Sequence, residues 1–270
     1  LIRLLLSRGV AVTACDKKDR TALGALGDEL EAAGCRLQLG QNYLSGLNQD
    51  VIFRTPGMRP DLPELLAAVE QGSVLTSEME VFFEVCPCPM IAITGSDGKT
   101  TTTSLIYHIF KKAGYNVGLA GNIGRSLALQ IAEGKNYEYY IIELSSFQLD
   151  NMYDFRANIA VLLNITPDHL DRYEGSMQNY TDSKMRILQN QTEEDAFIYW
   201  NDDPVISSEL RKYGIKAKMC PFSIIKKNGM IGYIADGKYV IENPTPFNME
   251  QESLSLHGKH NMYNSLAAGI

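Results

Sequence analysis

The stretch Ile91-Ala-Ile-Thr-Gly-Ser-Asp-Gly-Lys-Thr100 joins an apolar run to a glycine-bounded turn, and a helical pattern follows from Thr100 to Ala113. A short apolar strand that stops at glycines and continues as a helix is a unit of an α/β fold, in which the two element types alternate along the chain. The turn also suits an anion. Its glycines let successive N–H groups point inward, and the helix beginning at Thr100 presents the positive end of its dipole at the same place.

The alternation can be followed in both directions. Leu1–Val10 reads as the end of an amphipathic helix that begins outside this chain. Val10–Cys15 reads as a strand delivering Asp16, followed by a helical stretch to about Ala33. Strands are expected at Arg36–Leu39 and Asp50–Arg54, a helix at Pro63–Gln71, and another opened by Ser77-Glu78 with acidic residues in its first turn. These elements imply one small parallel sheet that lacks its own first strand. A boundary is expected near Val85–Pro89. Beyond it, strands are expected at Met90–Thr94, Asn116–Leu119, Tyr139–Glu143, Asn158–Asn164 and Ala196–Asn201. Helices fit Thr100–Ala113, Arg125–Ala132, Met177–Gln189 and Pro204–Tyr213. Between Met219 and Ile241, Asn228-Gly229 and Asp236-Gly237 read as hairpin turns, and a last helix begins near Asn261.

The chain of 270 residues is 45% apolar, enough for one large or two ordinary domains. Its net charge of −7 disfavours nucleic acid or an anionic membrane surface as a partner, so an anionic ligand must be held by local groups. Five cysteines, an odd number without paired CxxC motifs, suggest reduced thiols and a cytoplasmic protein. Cys86-Pro87-Cys88-Pro89 reads as a linker before a strand in preference to a redox or metal site. No apolar run reaches the ~20 residues that span a bilayer.

Gly95-Ser96-Asp97-Gly98-Lys99-Thr100 is therefore read as a shortened phosphate-binding loop. Lys99 can reach β/γ oxygens, the Thr100 hydroxyl can ligate Mg²⁺, and Thr101–Thr103 belong to helix surface and packing. Three further stretches fall where strands of the same sheet should end. They are Gly121-Asn-Ile-Gly124, the run containing Glu143, and the run Asn164–Tyr173 with Asp168, His169 and Asp171. Ligands of open α/β sheets collect at the carboxyl ends of strands, so these pieces can converge on Lys99. Thr100 and Glu143 could supply oxygens to a Mg²⁺ that keeps waters. His169 offers a nitrogen to a second cation, an arrangement more tolerant of Mn²⁺.

TGSDGKT, GNIG, ELSSFQL, NITPDHLDRY, YTDSKMRI, NDDP and HGKHNMYNSLAA occur in the order found in the Mur ligases of peptidoglycan synthesis, and the chain resembles that family across Met90–Ile270 and more weakly before it. The resemblance implies a Rossmann-like UDP-substrate-binding domain over residues 1–86 and a central P-loop ATP-binding domain over 87–270. The latter would have a mostly parallel sheet and a small antiparallel β region. It implies ATP and Mg²⁺ (or Mn²⁺), with Glu143, His169, Thr100 and a carbamylated Lys184 around the cations and Lys99 among the catalytic residues. Gly95–Thr101, Asn261 and Asn264 match ATP-binding positions. Asn122, Ser145 and Gln148 match positions lining the muramoyl substrate's path. Asp16 and Thr55-Pro56-Gly57 match the uridine side.

ELSSFQL and DHLDRY most resemble the branch that adds D-glutamate to UDP-N-acetylmuramoyl-L-alanine through an acyl phosphate. A monomer acting on small molecules is implied. The family's glycine-rich opening turn and its last, amino-acid-binding domain are not in the sequence, so a fragment inactive by itself is expected. Another Mur ligase, a folylpolyglutamate synthetase relative, a P-loop kinase or NTPase, and a nucleotide-binding module without turnover remain alternatives.

Overall fold

The computed structural model describes residues 1–270 apart from Pro87, Ser126, Asn151, Asn243, Pro244 and Ser255. The chain divides into two compact units, Leu1–Phe82 with Ser126–Lys135, and Phe83–Arg125 with Asn136–Ile270.

The first unit runs α1 (Ile2–Ser7), β1 (Thr13–Asp16), α2 (Arg20–Ala32), β2 (Arg36–Leu39), β3 (Val51–Phe53), α3 (Pro63–Glu70), β4 (Val74–Thr76) and the start of α4 (Glu78–Val85). Asp19 caps α2 by accepting from the Ala22 N–H at 2.8 Å. The strands form two separate parallel pairs, β1 with β2 and β3 with β4, so the single small sheet expected from the sequence is not formed. The reason lies in the segment between β2 and β3. Its Tyr43, Leu44 and Leu47 are buried and pack with Leu65 and Ala68 of α3, filling the core with side chains from a connection. β4, three residues long, was not among the strands expected from the sequence.

The second unit runs β5 (Met90–Thr94), α5 (Lys99–Lys112), β6 (Val117–Gly121), then α6 (Leu127–Ala132, which clusters with the first unit). It continues with β7 (Tyr139–Glu143), α7 (Ser146–Leu149), β8 (Ile159–Leu162), α8 (Met177–Met185), β9 (Ala196–Trp200) and α9 (Pro204–Glu209). It ends with β10 (Lys218–Phe222), β11 (Gly232–Ala235), β12 (Lys238–Ile241), β13 (Phe247–Glu250) and α10 (Lys259–Gly269). The helix expected over Arg125–Ala132 starts at Leu127, and Ser126 lies outside the described residues, as does Pro87 of the expected linker. The helix expected to Gln189 gives way at Arg186 to a 3-10 turn, and that expected to Tyr213 stops at Glu209.

Among the described residues nine strands form one sheet in the order β13-β12-β11-β10-β9-β8-β5-β7-β6, parallel from β6 to β11 and antiparallel from β11 to β13. All five residues of β5 are buried. β5 lies between β7 and β8, so the winding of the sheet reverses beside it. In open α/β sheets ligands collect beside such a reversal, outside the carboxyl ends of the strands, which here are those of β5, β7 and β8. Ile91, Ile93, Ile141 and Val161 of the sheet pack with Ile106 of α5 and Leu266 of α10.

The two expected hairpins differ. Asp236 and Gly237, both at positive φ (50° and 74°), make a two-residue turn between antiparallel β11 and β12. Asn228-Gly229 is not a hairpin turn, because β10 and β11 are parallel and meet at Phe222 and Gly232. Gly229 bends the chain locally, and pairing along the β10 edge decides the direction of the next strand.

Gly121 closes β6 at φ +95°, and a Cβ there would lie 2.0 Å from the Glu143 carbonyl oxygen. Gly121→Ala is expected to lower unfolding free energy by about 2–4 kcal/mol, read from urea unfolding midpoints.

Candidate active site

Four sheet strands and their following loops supply the site. At the end of β5 the chain turns through Gly95 to Gly98. Gly98 is left-handed at φ +82°, and the Asn264 Oδ1 of α10 stands 2.3 Å from where a Cβ at position 98 would be. The turn is tight for two reasons at once: the φ excludes most side chains, and α10 fills the space one would need. No side chain caps the first turn of α5, which leaves its N-terminal dipole facing the loop.

Asn164, just after β8, clamps the turn. Its Oδ1 accepts from the Asp97 N–H at 2.8 Å and its Nδ2 donates to the Asp97 carbonyl at 3.0 Å. Ser96 donates from its N–H to the Asn164 carbonyl at 3.0 Å. The sequence placed Asn164 after a strand without giving it a role; a side chain acting as a second backbone strand leaves no spacing signal.

Thr100 Oγ1 donates to Glu143 Oε2 at 2.8 Å. The carboxylate at the end of β7, only 4% exposed, is thus joined to the first turn of α5, as expected for those two residues. Asn122 lies on the same edge, where its N–H donates to the Glu143 carbonyl at 3.0 Å, while its side chain is exposed.

Two lysines meet at one oxygen. Lys99 Nζ donates to the carbonyls of Gly95 and Ser96 at 2.9 and 2.8 Å, and Lys184 Nζ of α8 donates to Gly95 at 2.7 Å. Lys184 is 2% exposed. Burial, reinforced by the positive charge of Lys99 and opposed by Asp168, Asp97 and Asp150, pushes its amine down to about 7. The sequence alone presented Lys184 as a helix lysine on a solvated face, and the fold buries it.

Other expected site residues are placed differently. His169 precedes the 3-10 turn Leu170–Tyr173 at φ +50°, a region that residues other than glycine seldom occupy. Its ring lies 5.3 Å from that of Phe147, and its Nε2 is 3.4 Å from Asp168 Oδ2. Ser145 and Gln148 form the reciprocal cap of α7. Gln148 N–H donates to Ser145 Oγ at 3.3 Å, and Ser145 N–H donates to Gln148 Oε1 at 2.9 Å. Asn261 and Asn264 are linked on α10, Nδ2 of Asn264 donating to Oδ1 of Asn261 at 3.3 Å. Within the first unit, Asp16 Oδ1 accepts from the Lys18 N–H at 2.8 Å. The Thr55-Pro56-Gly57 run forms a turn closed by Met58 N–H on the Thr55 carbonyl at 3.0 Å.

Among the described residues no group of three His, Cys, Asp or Glu side chains is disposed to hold a metal ion. The hydroxyl of Thr100 and the carboxylate of Glu143 are hard oxygen donors on one edge. They fit Mg²⁺, which takes one or two protein oxygens and completes its shell with water and phosphate.

In CO₂-free buffer the Lys184 amine makes a signed prediction. Its folded-state pKa of about 7 lies below the usual lysine value, so the buried ammonium is most costly below that pH. The cost is relieved as pH rises through 7 towards the unfolded value. Between about pH 7 and pH 9, wild-type protein is expected to gain stability relative to Lys184→Met, measured by denaturant unfolding at each pH.

Comparison with known proteins adds the family. The Mur ligase middle domain pattern matches residues 93–270. The chain is 63% identical over 224 residues to the UDP-N-acetylmuramoylalanine--D-glutamate ligase of Bacteroides fragilis, an alignment covering 83% of this chain and 50% of that protein. The ligase of the same name from Ruminiclostridium cellulolyticum is 42% identical over 271 residues, covering 99% of this chain and 57% of that one. The chain thus spans about half the length of the curated relatives it matches. The crystal structure of UDP-N-acetylmuramate:L-alanyl-gamma-D-glutamyl-meso-diaminopimelate ligase from Neisseria meningitides shares the fold with a TM-score of 0.61 at 19% identity, over 98% of this chain and 86% of that one. On its nine-stranded sheet, the glycine turn after β5 and this match to two thirds of its length, the chain belongs to the Mur ligase family.

Proposed function

We propose that this chain carries the nucleotide-binding and acyl-activating part of an ATP-dependent ligase that joins D-glutamate to UDP-N-acetylmuramoyl-L-alanine. The observation that carries the reading is the Thr100–Glu143 contact at 2.8 Å, set beside a glycine turn whose Gly95 carbonyl gathers Lys99 and Lys184. The curated relatives named for this reaction support the choice of substrates.

The reaction begins with two anions that repel one another, a substrate carboxylate and the γ-phosphate of ATP. Lys99 turns from the Gly95 and Ser96 carbonyls to the phosphate oxygens, and the uncapped first turn of α5 offsets further charge. The carboxylate oxygen attacks the γ-phosphorus, the bond to the β,γ-bridging oxygen breaks, and an acyl phosphate and ADP result. The D-glutamate amine then adds to the acyl carbon. It loses a proton, and the tetrahedral intermediate expels phosphate to leave the amide. Orientation of the two reactants by the rigid strand ends contributes to both steps. Thr100 and Glu143 would hold Mg²⁺, which supplies charge neutralisation at the transferring phosphoryl group.

Lys184 and His169 complete the proposed site. A buried amine that is half neutral near pH 7 can add CO₂ and become a carbamate, an anion able to face a cation; burial and the nearby Lys99 support this for Lys184. His169 would serve a second cation, Mn²⁺ more readily than Mg²⁺. Asn122, Ser145 and Gln148 would line the muramoyl path, Asn261 and Asn264 the nucleotide, and Asp16 and Thr55–Gly57 the uridine. Five free thiols suit a reducing compartment, the cytoplasm, and no helix among the described residues is long and apolar enough to cross a membrane.

The test is ADP and phosphate release by the full-length natural protein given ATP, UDP-N-acetylmuramoyl-L-alanine and D-glutamate. Release that requires a different amino acid would move the protein to another branch of the family, and no release with any would overturn the reading. Lys99→Ala is expected to slow turnover by about 10²-fold or more. Lys184→Ala is expected to be inactive and to regain activity with a short-chain carboxylate such as acetate; an active Lys184→Ala protein would remove the carbamate from the mechanism.

A further inference from the structure

Tyr180 is buried on α8; it opens the run YTDSKMRI, in which only Lys184 was given a role. It stands four residues before Lys184, hence on the same helix face, and the Lys184 Nζ lies 4.6 Å from the centroid of its ring. At its other end the phenol oxygen is 2.9 Å from Ser96 Oγ, in the phosphate loop. One side chain therefore touches both the loop and the helix lysine that binds the loop's Gly95 carbonyl.

The protons around Ser96 can be counted. Its hydroxyl donates to the Thr166 carbonyl at 2.8 Å and accepts from the Thr166 N–H at 2.9 Å. A serine hydroxyl has one proton and two lone pairs. With the proton given to Thr166, the contact with Tyr180 leaves one arrangement, in which the phenol donates and the second lone pair of Ser96 accepts. Burial raises the Tyr180 pKa, so the phenol keeps the proton it donates. Ser96 is thereby held from two sides, by the chain after β8 and by α8. Its N–H and that of Asp97 are meanwhile held by Asn164.

We propose that Tyr180 is a positioning residue for the phosphate loop, its hydroxyl fixing Ser96 and thereby the turn that presents the N–H groups from Gly98 to Thr100 to the nucleotide. The role rests on the reading of that loop as the ATP site. It differs from the role of Lys99, because Tyr180 is buried beneath the loop and acts through Ser96.

The experiment is a double-mutant cycle on ATP affinity in the full-length protein, by calorimetry, with Tyr180→Phe, Ser96→Ala and the pair. Phenylalanine keeps the ring against Lys184 and removes only the donor. Tyr180→Phe is expected to raise the ATP Kd about three- to tenfold in the Ser96 background and to have no further effect in Ser96→Ala. In the nucleotide-free protein, the Ser96–Thr100 amides are expected to exchange faster in Tyr180→Phe at unchanged global stability. An equal factor in both backgrounds, or no change in Kd, would overturn the role of Tyr180 while leaving the loop reading intact. A wild-type protein that does not bind ATP would remove the loop reading itself, and the role with it.

Discussion

The carbonyl oxygen of Gly95 accepts hydrogen bonds from two lysine amines, 2.9 Å from Lys99 and 2.7 Å from Lys184. In water two ammonium groups would not settle on one neutral oxygen. Here the carbonyl is at the end of a strand buried on both faces, and α8 brings its lysine from beneath. The conflict is resolved by proton affinity. The more buried amine, Lys184, gives up much of its hold on a proton near neutral pH. Lys99, at the start of α5, is only partly buried and holds the Gly95 and Ser96 carbonyls. The same constraint thus buries one of the two amines and leaves the other partly covered.

That meeting depends on topology. β5 is flanked by β7 and β8, so the loops after three strands distant in sequence leave the sheet side by side. Glu143 comes from one side, Asn164 from the other, and the glycine turn from between. Because β5 has no exposed residue, the strand cannot shift without exposing the core, and the geometry of the turn is inherited from the sheet. α10 adds a third wall, with Asn264 pressed into the volume left by the missing Cβ of Gly98.

Legibility in the sequence followed the range of the interactions. Met90–Thr94 and Tyr139–Glu143 were readable to the residue, because each is a run of apolar side chains ended by a glycine or an acid. Asp236-Gly237 was readable as a hairpin because two positive φ angles are a local requirement. Asn228-Gly229 carries the same local signal and makes no hairpin, since the direction of β11 is set by pairing with β10. The division of the first unit into two ladders was hidden for a similar reason: Tyr43, Leu44 and Leu47 look like connection residues until α3 closes over them. In the site, Thr100 and Glu143 were found by position at strand and helix ends. Asn164, Tyr180 and Phe147 stood in the quoted motifs without a role, because a clamp, a buried phenol and a ring beside a histidine are contacts between distant segments.

By itself, then, the order of residues determined the alternation of elements, the glycine turn of Gly95–Gly98 and the set of motifs that the family shares. These follow from local rules of backbone freedom, periodicity and dipole direction. Only the tertiary structure decided that Lys184 is buried against Gly95 and that Tyr180 closes the hydrogen-bond set of Ser96. It also placed the His169 ring against Phe147. Burial and proton affinity depend on what packs around a side chain, and those neighbours come from segments tens of residues away that meet only once the sheet has formed.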